Sequence, residues 1–432
     1  MEIFEILILV ISFAALLSVG VPISFSIGIS SLLTMLMSIN TLPSLTTISQ
    51  RMATGLDSFA LLAIPFFILA GQLMNVGGIA RRLINFAKIL VGKLPGGLAF
   101  VNIMAAMLFG AISGSAVAAA SAIGGFMTPV MKKEGYDEAF SAAVNITSAT
   151  TGMIIPPSNI LIVYSLASGG VSVAALFLAG YIPGILLGLS LMVVAFIYAK
   201  KHNYKVNYHV TLGEAVKTFF DAVPSLLLII IVIGGIVAGY FTATEASAVA
   251  VLYAFVLAVF VYKEVKFKDL YNILLSSAST TAIVMLLIGT SMAMSWVMAY
   301  ENIPQNVAQA LISLSDNKIV ILLIINVILL IVGTFMDMTP AVLIFTPIFL
   351  PVTTLLGVDP IHFGIIMTLN LSIGLCTPPV GSVLFVGCSV ANLPISKVIK
   401  PLIPLFVAMA VTLMLVTYLP DLSLTIPHLF GY

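Results

Sequence analysis

Long hydrophobic runs separated by short polar links follow one another along the whole chain. The runs lie at 4–38, 57–77, 97–131, 137–167 and 172–199 in the first half, and at 224–241, 243–262, 276–299, 319–356, 360–390 and 401–420 in the second. A helix of about 20 apolar residues spans a bilayer and satisfies its backbone hydrogen bonds internally. The pattern therefore predicts an all-α polytopic membrane protein, with a break in the first run around Gly20 and Pro22.

Two of the runs, 97–131 and 319–356, are too long for one span, and each has a small or polar interruption in its middle. The interruptions read AISGSA at 111–116 and TFMDMTPA at 334–341. Half-runs of about 16 residues rise about 24 Å, less than the roughly 30 Å of the hydrocarbon core. We therefore interpret each run as a re-entrant helical hairpin, with two full spans as the alternative.

Two further runs, 137–167 and 360–390, are interrupted by double prolines in the stretches GMIIPPSN and GLCTPPVG. Proline lacks an N–H group and pushes the preceding residue away from helical geometry. Each run is therefore predicted to be a broken helix, with carbonyl groups released around 151–154 in the first of them. A proline kink repacked by neighbouring helices is the alternative.

The basic residues indicate which way the helices face. With hairpins at the two long runs, 15 of the 17 Lys and Arg residues fall on one side, which identifies the cytoplasm, and only Arg51 and Lys318 fall on the other. The amphipathic stretch 80–95 then lies on the cytoplasmic face before the first hairpin, and 303–316 lies on the outer face before the second. The two halves are therefore predicted to have opposite orientations.

Matching landmarks recur at a nearly constant offset, which is the signature of an internal repeat. The pairs are Gly20 and Gly239, Gly110 and Gly333, Asn145 and Asn370, Pro156 and Pro378, and Pro183 and Pro404, with offsets of 219, 223, 225, 222 and 221. We predict two inverted repeats at 1–210 and 211–432. The first comprises helices 4–77, an amphipathic arm 80–95, hairpin 97–131, broken helix 137–167 and helix 172–199. The second comprises helices 224–299, arm 303–316, hairpin 319–356, broken helix 360–390 and helix 401–420.

Composition leaves no room for a sizeable soluble domain, since 61% of the 432 residues are hydrophobic and 8% are charged, with a mean hydropathy of +1.22. The stretch 1–20 is acidic at its start and lacks a basic region, so we expect a first membrane segment and not a cleaved signal peptide. The net charge of +1 and the scattered basic residues give no indication of a nucleic-acid partner.

Inverted repeats with interrupted helices at matching positions are typical of secondary transporters, which bind substrate and coupling ions at the interruptions. The interruptions here are rich in neutral oxygen ligands, which suit a monovalent cation such as Na⁺ better than zinc or copper. The candidate cation ligands are Ser113, Gly114, Ser115, Asn145, Thr151, Gly152, Pro156, Gly333, Thr334, Asp337, Asn370, Gly374, Thr377 and Pro378. Close packing of small residues is the alternative explanation of the first hairpin tip.

Substrate is expected at the same interruptions, where the N-termini of half-helices favour an anion. The candidate substrate ligands are Ser115, Ser158, Asn159, Asp337 and Pro379. Asp337 is one of the few carboxylates deep in an apolar run, and an ionisable residue there indicates function. Glu245, by contrast, is explained by a helix cap at 242–245.

The sequence gives no indication of an enzyme. It contains no P-loop, HExxH or GxSxG motif, the four histidines are far apart, and both cysteines, Cys376 and Cys388, fall in apolar runs. Neither a further metal nor an organic cofactor is expected. Transport energy must come from an ion gradient, or from a partner that hydrolyses nucleotide.

Long blocks of the sequence resemble the large membrane subunit of tripartite ATP-independent periplasmic (TRAP) transporters. The blocks are FGAISGSAVAAASAIGGFMTPVMKKEGYDEAFSAAVNITSATTGMIIPPSNILIVYS, LFLAGYIPGILLG, GYFTATEASAVAVLY, FMDMTPAVLIFTPIFLPV and FGIIMTLNLSIGLCTPPVGSVLFV. They follow one another in the family's order over essentially the whole chain. The second tip departs from the serines of the first, because it carries Met336 and Met338.

The resemblance implies a Na⁺-driven importer of organic acids such as C4-dicarboxylates or sialic acid, in a bacterial inner membrane. It implies two partners, an extracytoplasmic substrate-binding protein and a small four-helix membrane subunit, which is a separate polypeptide here. It also implies an elevator mechanism, in which the hairpins and broken helices move against a scaffold formed by helices 4–77 and 224–299. The alternatives are a stand-alone Na⁺/organic-anion symporter and, in a different class, a channel or a structural subunit of a membrane complex.

Overall fold

The regular structure is helical throughout the part of the chain that the computed structural model describes, namely residues 2–202, 204, 211–315 and 317–432. Lys205, His209 and Asp316, which belong to predicted polar links and to the end of the predicted arm 303–316, lie outside these residues. Within the described ranges, eight helices are long and apolar enough to cross a membrane. The chain is therefore an all-α polytopic membrane protein, as predicted.

Ten helices make up the first half of the chain. They are α1 (Glu2–Ser18), α2 (Ile23–Ser38), α3 (Thr41–Leu56), α4 (Ala63–Val76), α5 (Ile79–Val91), α6 (Gly97–Ser113), α7 (Ala116–Lys133), α8 (Glu138–Ala149), α9 (Asn159–Ala167) and α10 (Val173–Lys201). A 3₁₀ turn at Phe59–Leu62 leads into α4, and another at Thr151–Met153 lies between α8 and α9. Helix α5 is the predicted arm, α6 and α7 form the first hairpin, and α8 and α9 form the first broken helix.

The second half also contains ten helices. They are α11 (Leu212–Val237), α12 (Ala243–Phe255), α13 (Phe267–Tyr300), α14 (Ile303–Leu314), α15 (Lys318–Phe335), α16 (Met338–Leu355), α17 (Pro360–Gly374), α18 (Ser382–Ala391), α19 (Ile395–Tyr418) and α20 (Asp421–Leu429). A π-helical segment at Val256–Val261 continues α12. Helix α14 is the second arm, α15 and α16 form the second hairpin, and α17 and α18 form the second broken helix.

The breaks between helices were predicted more accurately than the helix ends. Gly20 and Gly239 both have positive φ, +87° and +75°, and each precedes the start of a helix. Glu245 forms a capping box with Thr242, which agrees with the predicted helix cap at 242–245. The division into two inverted repeats at 210 and 211 stays a prediction.

Several helices extend beyond the apolar runs or lie between them. Helices α11 and α13 begin at Leu212 and Phe267, well before the runs at 224 and 276, while α3 lies between the first two runs and α20 follows the last one. Hydrophobicity marks the part of a helix that faces lipid or protein interior, whereas a helix continues into the interface wherever its polar residues cap it. At the start of α11, Glu214 forms such a capping box with Thr211.

Two groups of helices can be distinguished by their packing. In one group, α2 and α3 pack against α13, and α4 packs against α12 and α13. In the other group, each hairpin packs against its own broken helix, α7 also packs against α18, and α9 packs against α16. The hairpins and broken helices of the two halves thus form one body, which α4 and α13 contact through α6 and α16.

Paired glycines hold each hairpin against the break in its broken helix. A Cβ atom built on Gly152 would lie 2.3 Å from the Cα atom of Gly110, and one built on Gly374 would lie 2.6 Å from the Cα atom of Gly333. Contacts of this length leave no room for any side chain. The two pairs occupy corresponding positions in the halves, so the same contact is made twice.

The arm α5 is fastened to the end of the α12 segment and to α11 by charged and aromatic groups. Arg82 donates to the carboxylates of Asp221 and Glu264, at 3.3 and 3.5 Å, and its guanidinium carbon lies 3.5 Å from the centre of the Tyr262 ring. Arg81 pairs with the same Glu264 carboxylate. The arm therefore connects the α11–α12 side of the molecule with the first hairpin, because it also packs along α6.

Replacing Gly374 by alanine should destabilise the protein. The new methyl group would overlap the backbone of Gly333, and overpacking of this kind costs about 1–3 kcal/mol. Thermal unfolding of the purified protein should therefore begin at a lower temperature. Gly125→Ala in α7 is the matched control, since its Cβ meets no atom within 4 Å. Equal stability of both variants would contradict a tight glycine contact.

Candidate functional site

The first hairpin tip is a two-residue turn between α6 and α7. Gly114 ends α6 with φ +62°, and a Cβ there would lie 2.7 Å from Nδ2 of Asn159. Ser115 caps α7, since its Oγ accepts the backbone N–H of Ala118 at 3.2 Å. Glycine at 114 therefore permits both the turn and the close approach of the tip to the start of α9.

The first break lies beneath this tip and is more fully hydrogen-bonded than predicted. The carbonyl of Thr151 accepts the N–H of Ile154 at 3.3 Å, and the carbonyl of Met153 accepts the Ser158 hydroxyl at 2.5 Å. Two of the carbonyl groups that were predicted to be released therefore accept hydrogen bonds from within the protein. A 3₁₀ turn satisfies backbone groups that an interrupted α-helix would leave free. The Pro156–Pro157 peptide bond is cis.

The second tip and break differ from the first in their side chains. Met336 is extended at the end of α15, and Asp337 stands at the N-cap position of α16. At the second break, the N–H of Thr377 donates to the carbonyl of Gly374 at 2.9 Å. The carbonyl of Thr377 accepts the N–H of Gly381 at 3.1 Å. The Pro378–Pro379 bond is also cis.

Both tips open into one cavity of about 450 Å³. It is lined by α4 and α13, by both tips, by the start of α9, and by Met153 and Leu375 at the two breaks. The polar residues of the lining are Gln72, Asn75, Ser113, Ser115, Ser121, Asn159, Thr280, Asp337 and Thr339. No Lys, Arg or His is among the described lining residues, so Asp337 supplies the one carboxyl group and the one ionisable side chain of the lining.

The cavity brings together some of the predicted ligands and leaves others elsewhere. Those that line it are Ser113, Gly114, Ser115, Asn159 and Asp337. Those that do not are Asn145, Thr151, Gly152, Pro156, Ser158, Gly333, Thr334, Asn370, Gly374, Thr377, Pro378 and Pro379. Most of this second set is buried behind the tips, whereas Pro379 is exposed. Ser158 is fully buried with its hydroxyl on the Met153 carbonyl, which argues against a substrate contact in this conformation.

Sequence reasoning missed the polar residues that α4 and α13 contribute. Gln72 and Asn75 lie three residues apart, which places them on one face of α4. A pair of amides on one face of an apolar span is the signal that was available. Thr280 lies in the hydroxyl-rich stretch SSASTT at 276–281 of α13, which was a further available signal. Ser121 and Thr339 lie beside the tips among small or apolar residues and gave no comparable signal.

The asparagines Asn145 and Asn370 carry buried side-chain oxygens with no hydrogen-bond donor among the described residues. Asn145 Nδ2 donates to the carbonyl of Ala120 at 2.8 Å, and Asn370 Nδ2 donates to the carbonyl of Asn326 at 2.8 Å. A backbone carbonyl only accepts, so each amide nitrogen is fixed and the other atom must be oxygen. A buried oxygen without a donor is unfavourable unless a cation or water binds it.

A second pair of asparagines, Asn102 and Asn326, lies beside the first and was also missed. Their offset of 224 matches the predicted repeat. The Asn326 amide accepts from Asn370 Nδ2 at 2.8 Å and donates to the Thr417 hydroxyl at 3.0 Å. Asn102 makes weaker contacts, since Ser148 Oγ donates to its oxygen at 3.4 Å and its nitrogen lies 4.0 Å from a methionine sulfur. The second half therefore holds its asparagine more firmly.

Asn326→Ala should destabilise the protein more than the matched change Asn102→Ala. The change at Asn326 removes two short buried hydrogen bonds, and each partner left unsatisfied lowers the free energy of unfolding by about 1–3 kcal/mol. The change at Asn102 removes only long contacts. Thermal unfolding of the two variants measures the difference. Equal destabilisation would show that the hydrogen-bond lengths in the two halves do not reflect their strengths.

Comparison with known families gives this geometry a context. Residues 10–422 match the model of the family described as tripartite ATP-independent periplasmic transporter, DctM component. The chain belongs to this family. The TRAP resemblance is thus confirmed over nearly the whole length, and the chain is a large permease subunit in a bacterial inner membrane. Members of this family are transporters, which agrees with the prediction that the chain is not an enzyme.

Similar proteins include three that the chain matches almost end to end. It is 59% identical to YgiK of Salmonella typhimurium, with 99% of this chain and 98% of that protein covered. It is 40% identical to the sialic acid TRAP transporter large permease protein SiaM of Vibrio cholerae, with 96% and 97% covered. It is 39% identical to the C4-dicarboxylate TRAP transporter large permease protein DctM of Rhodobacter capsulatus, also with 96% and 97% covered.

A solved structure supports the fold. The YdaH transporter of Alcanivorax borkumensis matches with a TM-score of 0.62 and 15% sequence identity, and the match covers 88% of each chain. At this identity the similarity concerns architecture alone. The TRAP permease thus shares the arrangement of its helices with another membrane transporter.

Proposed function

We propose that the chain is the translocating subunit of a Na⁺-driven importer of small organic acids that works by an elevator mechanism. The observation that carries the proposal is the shared cavity, where the tips of both hairpins meet the start of α9 and the second break. Residues from both halves of the chain thus converge on one chamber. A transporter with matching interruptions in its two halves requires such a chamber.

The elevator component of the proposal rests on how the cavity is bounded. Gln72, Asn75 and Thr280 come from α4 and α13, while the remaining polar groups come from the hairpins and broken helices. The second group packs into one body across the two halves. Movement of that body along α4 and α13 would carry a bound molecule without separating the two tips.

Na⁺ coupling is supported by the chemistry of the buried groups behind the tips. Asn145 and Asn370 each present an amide oxygen without a donor, and neutral oxygens are the ligands that a hard monovalent cation takes. Ser113, Gly114, Ser115, Thr151, Gly152 and Pro156 complete the first proposed set. Gly333, Thr334, Asp337, Gly374, Thr377 and Pro378 complete the second. Bound Na⁺ would supply positive charge beside the cavity and so favour an anionic substrate.

The substrate is proposed to be a carboxylate, which agrees with the names of the sialic acid and C4-dicarboxylate relatives. Ser115 caps α7, and Asn159 is the first residue of α9, so two helix N-termini with their positive dipole ends border the chamber. Neutral hydroxyl and amide groups around them can bind hydroxyl groups of the same molecule. We propose a periplasmic substrate-binding protein and a separate small four-helix membrane subunit as partners.

Uptake should require a Na⁺ gradient. In proteoliposomes that contain the chain, its small subunit and the loaded binding protein, an inward Na⁺ gradient should drive accumulation of substrate, and replacing Na⁺ by choline should abolish it. Asn370→Ala should raise the Na⁺ concentration for half-maximal uptake about tenfold, equivalent to about 1.4 kcal/mol. Accumulation without Na⁺ would contradict the coupling, and uptake by the chain alone would favour a stand-alone symporter.

The cavity assignment predicts that Asp337→Asn and Ser115→Ala each lower uptake at least about tenfold. The first change removes the one ionisable side chain of the lining, and the second removes a polar group and the cap of α7. Asp421→Asn in the exposed start of α20 is the control for loss of a carboxylate, and it should transport normally. Unchanged uptake in both cavity variants would disprove the assignment.

A further inference from the structure

A second cavity lies at the base of the second hairpin, at the opposite end of that hairpin from its tip. It has a volume of about 340 Å³ and is enclosed by the start of α15, the start of α17, the end of α19 and the helix α20. The 12 residues from Leu322 to Thr334 place it about 18 Å from the tip. Lys318 lies at its mouth, and the distribution of basic residues assigns Lys318 to the outer side of the membrane. The cavity is therefore distinct from the proposed transport site and faces outward.

The lining of this cavity includes a buried hydrogen-bond acceptor that has no donor. His362 is 2% exposed, and its Nε2 lies 3.3 Å from the carbonyl oxygen of Thr417. A carbonyl only accepts, so Nε2 carries the proton, and in the neutral ring Nδ1 is then an acceptor. Nδ1 is buried and has no hydrogen-bond partner among the described residues. Such an atom is unfavourable unless a donor reaches it, and the cavity beside the ring can hold a molecule that supplies one.

The first half of the chain fills the corresponding space with its own aromatic rings. His362 follows Phe140 by 222 residues, which is also the offset between the two double prolines. Phe140 stacks on Tyr198, with ring centres 3.8 Å apart and ring planes 3° apart. The residue that follows Tyr198 by 221 positions is Leu419, which is 50% exposed and has no ring. The second half therefore lacks the ring that would stack on the side chain at 362.

The walls of the cavity are apolar. The buried side chains of its lining, apart from His362 and Thr417, are Leu322, Val358 and Leu424. A charged group buried among such walls would be unfavourable unless it were paired. An aromatic ring buries a large apolar area, and a single O–H or N–H group on it can serve a polar atom at one end.

The mouth of the cavity favours neither an anion nor a cation. It carries the Lys318 ammonium and the Asp359 carboxylate, and no other Lys, Arg, Asp or Glu is among the described lining residues. Both groups already bond to the backbone. Lys318 Nζ donates to the carbonyl of Gly357 at 3.2 Å, and Asp359 accepts the N–H of Ile361 at 2.7 Å. The charges at the mouth therefore offset each other, which suits a neutral ligand.

We propose that this cavity binds a neutral aromatic molecule with one O–H or N–H donor, of the phenol or indole class, from the outer side of the membrane. The ring lies among Leu322, Val358 and Leu424, and its donor bonds to Nδ1 of His362. The ligand thus supplies to the second half the ring that Tyr198 supplies to the first. Because α15 and α20 both line the cavity, the bound ring also links the last helix to the base of the second hairpin.

Titration of the purified full-length protein with 4-methylphenol tests the proposal. The compound should bind saturably in isothermal titration calorimetry and should raise the unfolding temperature. 4-Methylanisole has the same ring without a donor, so it should bind at least about fivefold more weakly, the effect of one hydrogen bond. Equal binding of the two compounds would overturn the proposal. Absence of saturable binding by 4-methylphenol would also overturn it, since water alone would then serve His362.

Matched variants locate the site. His362→Phe introduces the residue of the first half and removes the acceptor, so it should abolish the preference for 4-methylphenol over 4-methylanisole. His428→Phe makes the same change at the exposed end of α20, outside the cavity lining, and should leave binding unchanged. Leu424→Trp fills the cavity from α20 and keeps the histidine, so it should weaken binding of both compounds. If His362→Phe keeps the preference, if His428→Phe loses it equally, or if Leu424→Trp has no effect, the cavity is not the binding site.

Discussion

The contact between each hairpin and the break in its broken helix is the constraint on which the rest of the structure depends. Gly110 meets Gly152 and Gly333 meets Gly374 at distances that exclude a side chain. Only this approach places the two tips where they face a common chamber. Because the interiors of proteins are close-packed, a methyl group at these positions would displace the tip as a whole. The positions of both tips in the chamber therefore depend on these two contacts.

The same contact, made twice, supports two unequal sites. In the first half, a serine caps the hairpin tip and Asn145 donates to a carbonyl of α7. In the second half, an aspartate occupies the cap position, and Asn370 is held by Asn326 and through it by Thr417. Firmer positioning of one amide oxygen reduces its freedom to relax when a ligand leaves. Duplication therefore conserves the backbone arrangement while the side chains diverge.

The molecule also separates the part that positions the chamber from the part that anchors it. Hairpins and broken helices form one body, and α4 and α13 supply the opposite wall of the chamber. The arm α5 connects the two, because Arg82 and Arg81 bind groups near α11 and α12 while the chain continues into α6.

The hydrophobic runs and their interruptions determined most of the fold. A bilayer allows a chain to cross it only as helices or closed barrels, so apolar length and proline position were sufficient to locate hairpins, broken helices and the first tip. Ser115 was identified from its position at the predicted turn, and Asp337 because ionisable groups are rare in such runs. Helix ends in the interface, as at Leu212 and Phe267, could not be located from the sequence, because hydrophobicity does not mark them.

The tertiary structure alone decided which polar residues share a chamber. Gln72 and Thr280 are far from the tips in sequence, and only the packing of α4 and α13 brings them to the cavity. Packing likewise placed Asn145 and Asn370 behind the tips and showed that their oxygens lack donors, and it revealed Asn326 as the partner of Asn370. The sequence by itself determined the elements because the bilayer restricts each segment locally. Contacts between segments distant in the chain depend on side-chain packing, which no local pattern records.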